Sequence, residues 1–522
     1  MTERTEIGTE EYQWGPFKKK PNMIIFITDQ QRAIQHFPEE WVRQNMPNLN
    51  TLKHHGMTFS NAICSASPCS PSRATLFTGT YPAVNGVPEV SQNLKPTNTN
   101  TTHILGHVLA TAGYRVIYKG KWHINNDYVD VSQQTPRNEP PSGPTEEILR
   151  EEQAQMQHLW GFDGWNGPDA GVSVTPDEDG YRTLGGGLAS NDRRFAIGPD
   201  FVPGQHSAEQ FLKAERENPS EQPFCLIVSL VNPHDIWLYT SGADITKLYP
   251  SSYLDYEGFE LPRSYFEDNL TTKPWIQTNL LNSGKRLPPT GNSTTVDNGS
   301  GQTNALNFVK FYAYLQTLSD LYFQRLFATI VESEFYRDSI IIRLADHGEL
   351  GMTHGGLQEK VCNVYRETIN VPLIFHSPTL FREGKAFESQ ALVSLVDMLP
   401  TLAKIAQVPN WETYRFQGRD FSELLLAEKA LPLEPGPAEL PNDLADYVLF
   451  TFDDIEYGDP TYLPPRGPKH IRAILTPEWK YAVYYDLDTD FDTESSGQTD
   501  KPGAVITDVD PYVRGVTPKI PL

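Results

Sequence analysis

Residues 23–30 read Met-Ile-Ile-Phe-Ile-Thr-Asp-Gln: five apolar side chains in succession, a threonine, then a carboxylate at Asp29 and a carboxamide at Gln30. A run that is apolar at consecutive positions has no face to give to water, so it reads as a strand buried on both sides, as in a parallel sheet. Its abrupt polar end matters as much, because open α/β sheets bind ligands outside the carboxyl ends of their strands. Three further runs share this design. Tyr114-Arg-Val-Ile-Tyr118 leads into Lys119-Gly-Lys-Trp-His123, Cys225-Leu-Ile-Val-Ser-Leu-Val231 into Asn232-Pro-His-Asp235, and Ser339-Ile-Ile-Ile-Arg-Leu-Ala345 into Asp346-His347-Gly348. Val371-Pro-Leu-Ile-Phe375 is a fifth run, read as a strand of the same sheet. Strand ends that carry Asp, Lys/His, His/Asp and Asp/His predict one shared crevice.

Helical stretches separate the strands. Thr102–Thr111 is one; Asn304–Glu332 is longer, with Leu306, Val309, Tyr312, Leu315, Tyr322, Leu326 and Ile330 at helical spacing. The alternation predicts an α/β fold with a doubly wound, mostly parallel sheet sandwiched by helices. Residues 130–205 are rich in Pro, Gly, Asp and Asn and read as a long excursion over the sheet, and 283–303 as a loop. Beyond Leu399-Pro-Thr-Leu-Ala403 and a turn near Gly418 the runs shorten. Asp446–Phe452, Ile471–Leu475 and Lys480–Tyr485 predict a small antiparallel sheet, followed from about residue 488 by an acidic tail on the surface. The chain divides into an N-terminal extension (1–20), a main α/β domain (21–405) and a smaller C-terminal α+β subdomain (406–522).

Lys and Arg total 43 against 66 Asp and Glu, a net charge of −23, which argues against nucleic acid or an anionic membrane as partner. It leaves an anionic substrate open, since a few cations reverse the field inside one pocket. The four cysteines, Cys64, Cys69, Cys225 and Cys362, form no CxxC pair and no disulfide framework. The first twenty residues are polar and lack the apolar core of a signal peptide, so the expectation is a soluble, cytoplasmic protein. Lys18-Lys-Lys20 reads as a solvated stretch, and Trp160-Gly-Phe-Asp-Gly-Trp165 as loop packing.

The densest chemistry lies in Cys69-Ser-Pro-Ser-Arg-Ala-Thr-Leu-Phe-Thr-Gly79. Ser70 is read as a helix cap with Pro71 at the first position, which sets Cys69 beside a positive helix end where an anionic nucleophile is stabilised. Arg73, one turn in, reaches the same anion. A buried cysteine ahead of an ordinary helix satisfies the same pattern.

The stretch resembles the signature C-x-P-S-R-x-x-x-x-T-G of the type I, formylglycine-dependent sulfatases of the alkaline-phosphatase-like superfamily, with Cys69, Pro71, Ser72, Arg73, Thr78 and Gly79 all in place. The other strand ends resemble family motifs in order: Gly120-Lys-Trp-His123, Asn232-Pro-His-Asp235, Asp346-His-Gly-Glu349, and Lys360 ahead of Tyr365 and Glu367. The resemblance implies that Cys69 is the precursor of formylglycine, made by a formylglycine-generating enzyme. It implies that Arg73, Lys121, His123, His234 and Lys360 surround a sulfate, with His234 protonating the leaving oxygen and His123 acting as base. It further implies that Asp29, Gln30, Asp346 and His347, together with residue 69, hold one divalent cation. Mostly oxygen ligands favour Ca²⁺ or Mg²⁺, the imidazole keeps Mn²⁺ open, and the family points to Ca²⁺.

The sequence departs from the pattern in two places. Asp29-Gln30 stands for a paired Asp-Asp and His347 for an Asn, which is reminiscent of the phosphonate monoester hydrolase and choline sulfatase branches. Glu359 stands where a Gly precedes the lysine. The expected function is hydrolysis of a small aryl or alkyl sulfate ester. A phosphonate monoester or phosphodiester hydrolase using the same site is the alternative, and a non-catalytic metal-binding protein on the same fold is the third reading. His354, in Met-Thr-His-Gly-Gly, either lines the site or serves a turn.

Overall fold

The run at Met23 becomes β1 (Asn22–Asp29), buried at all eight positions. The computed structural model describes residues 14–90, 92–96, 103–125, 146–167, 169, 189–198, 206–239, 245–282, 301–381, 385–430, 447–453, 470–485 and 505–508. The main sheet comprises β1, β2 (Gly56–Ile63), β3 (Arg115–Gly120), β4 (Phe224–Pro233), β5 (Ser339–Ala345), β6 (Leu373–His376) and β7 (Phe387–Ser394). Their order is β3-β4-β1-β5-β6-β2-β7. β1 lies in parallel register between β4 and β5, with Ile24 opposite Leu226 and Ile341, and β3 extends the parallel set on β4. The four polar strand ends therefore emerge side by side, as their sequences predict.

The fifth run departs from expectation. β6 pairs antiparallel with both β5 and β2. Burial on both faces is the same in either direction, so an apolar run carries no information about orientation. β2 and β7 pair in parallel and have no counterpart in the sequence reading, because Thr58, Ser60, Asn61, Glu388 and Gln390 interrupt them with polar groups on the less buried positions.

Successive β1 side chains serve opposite layers. Met23, Ile25 and Ile27 join one core with Phe59, Phe77 and Trp122, whereas Ile24 and Phe26 join a second with Phe308, Phe311 and Tyr312. The latter aromatics come from the helix Gly301–Val331, which matches the expected Asn304–Glu332. The expected helix at Thr102–Thr111 is observed as Leu105–Thr111. The excursion at 130–205 contains two helices, Glu146–Trp160 and Ala189–Ala196, and its other described residues are non-helical. Leu149, Met156 and Trp160 form a buried stripe that the surrounding Pro and Gly disguise in composition. Of the loop expected at 283–303, residues 301–303 open the long helix and the rest lies outside the described residues. Trp160, Phe162 and Trp165 are buried, consistent with packing.

The C-terminal runs become β8 (Val448–Phe452), β9 (His470–Leu475) and β10 (Lys480–Tyr485), an antiparallel set. The segment read as a surface tail adds a fourth strand, β11 (Val505–Asp508), whose Val-Ile-Thr pairs with Val483, Ala482 and Tyr481. Thr451 of β8 donates its N–H to the Ser65 carbonyl at 3.0 Å, so this sheet hangs beside the carboxyl end of β2. Near the expected turn, a Cβ at Gly418 would stand 2.0 Å from the Val396 carbonyl oxygen, which only glycine avoids. Ahead of β1, Trp14 and Phe17 stack and belong to the core, so the described part of the N-terminal extension is packed rather than free. Among the described residues no helix is long and apolar enough to cross a membrane.

One buried ion pair fastens the long helix to the sheet. Asp320 meets Arg343 of β5, both fully buried, and also accepts the N–H groups of Asn48 and Leu49 at 2.8 and 2.9 Å, which open the helix Pro47–His54. Removing one partner of such a pair strands the other charge. Asp320→Ala is expected to lower unfolding stability by about 3–5 kcal/mol in chemical denaturation, and an exposed surface substitution on the same helix by far less.

Candidate active site

The helix Cys69–Thr78 starts at the cysteine itself, two residues earlier than a Ser70 cap would place it, and every residue in it is buried. Pro68 precedes it without a side-chain cap, and the Ser70 hydroxyl faces His123 Nδ1 at 3.4 Å instead. Gly79 ends the helix in the left-handed conformation at φ +65°. Cys69 is thus held rigidly at a helix N-terminus, under the strand ends. Its Sγ lies 3.5 Å from Asp29 Oδ1 and 3.1 Å from His347 Nε2.

Arg73, one turn on, gathers the crevice. Its Nε donates to Asp346 Oδ2 at 2.8 Å, its Nη1 to the Lys121 carbonyl at 2.9 Å and to Ser229 Oγ at 2.8 Å, and its Nη2 approaches Asp29 Oδ2 at 3.5 Å. Lys121 Nζ contacts the same Asp29 oxygen. Asp346 further accepts the N–H groups of Gln30 at 3.1 Å and His347 at 2.9 Å. Asp29, Arg73, Lys121, Asp346 and His347 have no solvent exposure.

These contacts set the protonation states. Burial works against the charge of Asp29, but Lys121, His234, Arg73 and His347 hold its carboxyl well below the usual range. Burial and then Lys121 push His123 and His234 well below the ordinary imidazole value, so both are neutral at pH 7. His347 goes the other way: against the effect of burial, Asp346, Cys69 and Asp29 raise it to about 9, so a cation bound there would take the place of its Nε2 proton. The His347 Nδ1 donates to the Gly348 carbonyl at 3.0 Å, which aims Nε2 at the cluster. One ligand atom each from Asp29, Cys69, Asp346 and His347 lies within 4.8 Å of the others. Two carboxylates, an imidazole nitrogen and the residue 69 side chain at that separation fit a divalent cation.

Gln30 is turned elsewhere. Its carboxamide oxygen accepts from Lys360 Nζ at 2.7 Å and its nitrogen donates to the buried Glu349. The amide therefore anchors Lys360, with the oxygen expected at the metal facing that lysine. A left-handed φ of +67° at Gln30 starts this turn. Tyr312 of the long helix pins it, donating to the Gln30 carbonyl at 2.7 Å and accepting from the Arg32 N–H at 3.2 Å.

Gly120 makes the bend after β3, at φ +104°, where a Cβ would stand 2.0 Å from the Ser229 carbonyl oxygen. Past it, Asp169 accepts the N–H groups of Trp122 and His123 at 2.8 and 2.7 Å, holding His123 at φ +55°. At the carboxyl end of β4, Asp192 accepts those of Val231 and Asn232 at 2.6 and 2.9 Å. Sequence reading missed Asp169, Asp192 and Tyr312. A lone Asp in a Pro/Gly-rich stretch and a Tyr on an apolar helix stripe give no signal that backbone amides elsewhere need them.

Compared with known proteins, the chain matches the Sulfatase family profile over residues 21–408. It is similar to Arylsulfatase K of Canis lupus familiaris, 23% identical over 485 residues that cover 90% of this chain and 76% of that protein. In fold it is similar to a solved 2-O GAG sulfatase, with a TM-score of 0.59 at 18% identity over 89% of this chain and 83% of that one. It is also similar to a phosphonate monoester hydrolase from Silicibacter pomeroyi, with a TM-score of 0.53 at 17% identity over 89% and 87%.

His354 serves the fold. Its Nδ1 meets Asp268 Oδ2 at 2.5 Å, its Nε2 meets Glu367 Oε2 at 3.1 Å, and its ring stacks on Tyr365 with centroids 3.7 Å apart. Burial opposes its charge, yet Asp268 and Glu367 raise it from 6.5 to about 8. A folded-state value above the unfolded one means that this clamp is complete below about pH 6.5 and is lost as pH rises through about 8. The stability advantage of the unsubstituted protein over His354→Gln is therefore expected to be larger at pH 6 than at pH 9. The difference should reach up to about 2 kcal/mol by denaturant titration, and a pH-independent gap would refute the assignment.

Proposed function

Because the chain belongs to the sulfatase family, we propose that it hydrolyses a small sulfate ester with a formylglycine made from Cys69 and one divalent cation, Ca²⁺, held by Asp29, Asp346, His347 and the converted residue 69. The observation that carries this reading is the convergence of four ligand atoms within 4.8 Å, with Arg73 and Lys121 in contact with the same carboxylates. A bound cation would polarise a sulfate oxygen and lower the pKa of the nucleophilic hydroxyl. Formylglycine would supply that hydroxyl as a hydrated aldehyde, from which sulfate can leave without water attacking sulfur.

The remaining work falls to side chains of this protein. Arg73 Nη2 is buried and has no hydrogen-bond partner among the described residues, which suits it to an incoming sulfate oxygen. Lys121 sits on the other side of Asp29 and adds a second cationic donor. His234 Nδ1 is likewise buried without a partner among the described residues, and we assign it the proton for the leaving alcohol. His123 is assigned the proton removal at residue 69 that returns the aldehyde; its neutral state leaves a lone pair for that role. A sulfate ester is the substrate class, and release of the alcohol requires only His234 and the shape of the crevice.

The direct test is mass spectrometry of the peptide spanning residue 69, together with turnover of a nitrophenyl sulfate and a nitrophenyl phosphonate. Conversion exchanges one sulfur and two hydrogens for an oxygen, so the peptide should be lighter than encoded and react with hydrazides, and the sulfate should be turned over faster than the phosphonate. A fully active preparation with an unmodified thiol at residue 69 would sink the reading, and a preference for the phosphonate would transfer it to that class. Lys121→Ala should cost about a hundredfold or more in kcat/KM on the sulfate. Lys360→Ala should cost less, since Lys360 is held by Gln30 and Glu359 rather than by a metal-site carboxylate.

A further inference from the structure

Glu359 adopts φ +70°, a backbone conformation that residues other than glycine, asparagine and aspartate seldom take. Its backbone is clamped there from both sides: the N–H donates to Glu349 Oε1 at 2.8 Å and the carbonyl accepts from Leu350 N–H at 3.0 Å. The sequence places a glutamate at a position where glycine would carry no strain, and such strain is kept where the side chain has a task. That side chain reaches into the crevice. Its Oε2 lies 3.1 Å from Lys360 Nζ and 3.4 Å from Gln30 Nε2. Lys360 is 5% exposed and Glu359 32%, so the carboxylate lies on the solvent side of the lysine.

The charges around the crevice then pair off. Arg73 is matched by Asp346 at 2.8 Å, Lys121 by Asp29, and Lys360 by Glu359. Asp29 and Asp346 are also metal-site carboxylates, whereas Glu359 is outside that set and contributes only its charge. A sulfate monoester carries one negative charge; a phosphate monoester at pH 8 carries two. With a cation held by Asp29 and Asp346, Glu359 is the carboxylate outside the metal set that lowers the positive potential at the mouth, and it does so at Lys360, which a second ester charge would meet.

We propose that Glu359 is a specificity-determining residue, which cancels Lys360 at the mouth of the crevice and confines the site to singly charged esters. The inference rests on the ester-hydrolase reading above and deepens it, by naming the charge of the substrate that the site accepts. It applies equally to sulfate monoesters and to monoanionic phosphonate esters, and it excludes phosphate monoester dianions.

The test is binding, measured apart from turnover. Dissociation constants of phenyl sulfate and phenyl phosphate are taken by calorimetry at pH 8 on metal-loaded Cys69→Ala protein, alone and combined with Glu359→Gln or Glu359→Gly. Glu359→Gln keeps the shape and removes the charge, and should tighten phenyl phosphate relative to phenyl sulfate by about tenfold or more. Glu359→Gly should shift the ratio the same way while leaving the melting temperature unchanged or higher, because it removes the side chain from a left-handed position. A ratio within about twofold of the parent in both double variants would overturn the proposal, and so would equal weakening of both ligands, the mark of a merely structural role. Failure of the sulfatase reading shows up separately, as absent turnover of nitrophenyl sulfate by the mature unsubstituted protein, and leaves the binding ratio readable.

Discussion

The guanidinium of Arg73 is the constraint on which the site depends. It is fully buried, yet it touches groups from four strands: Asp29 at the end of β1, Lys121 after β3, Ser229 in β4 and Asp346 after β5. A buried cation is tolerable only if its donors are used, and here three of the four contacts are hydrogen bonds of 2.8–2.9 Å. In return it lets two carboxylates stand close together without water. Without that guanidinium the two like charges would face each other in a dry crevice with no cation of the chain bridging them. A lysine at this position could not replace it, since one ammonium lacks the planar fork that spans four partners.

That geometry explains why so much of the site was readable from sequence. A ligand-binding residue at a strand end must follow a buried run within one or two positions, so Asp29, Lys121, His123, His234, Asp346 and His347 are announced by the strands before them. Cys69 and Arg73 are announced by a helix start, even though the helix begins at Cys69 and uses no Ser70 cap. What escaped is whatever depends on a partner far along the chain. The bond from Lys360 to the Gln30 oxygen joins residues 330 positions apart, and nothing beside Gln30 in the sequence announces it. The direction of β6 and the presence of β2 and β7 were equally hidden, since strand order follows from packing between layers and not from the strand's own residues.

The same reasoning separates the protein's net charge from the field its substrate meets. Several of its acids are engaged with backbone amides rather than with ligands. Asp169 takes the N–H groups of Trp122 and His123, Asp192 those of Val231 and Asn232, Asp320 those of Asn48 and Leu49, and Asp397 those of Ser394 and Arg419. Each pair belongs to a segment leaving the sheet or opening a helix, where the ladder no longer supplies acceptors and a buried N–H left unpaired is costly. A carboxylate meets two such donors at once, and the hydrogen bonds fix a turn whose backbone no regular element would hold. His123 shows the consequence: its left-handed φ persists because Asp169 grips the peptide on either side of Trp122. Acids engaged in this way are matched by the backbone, so a chain of net charge −23 still gathers Arg73 and Lys121 in one crevice.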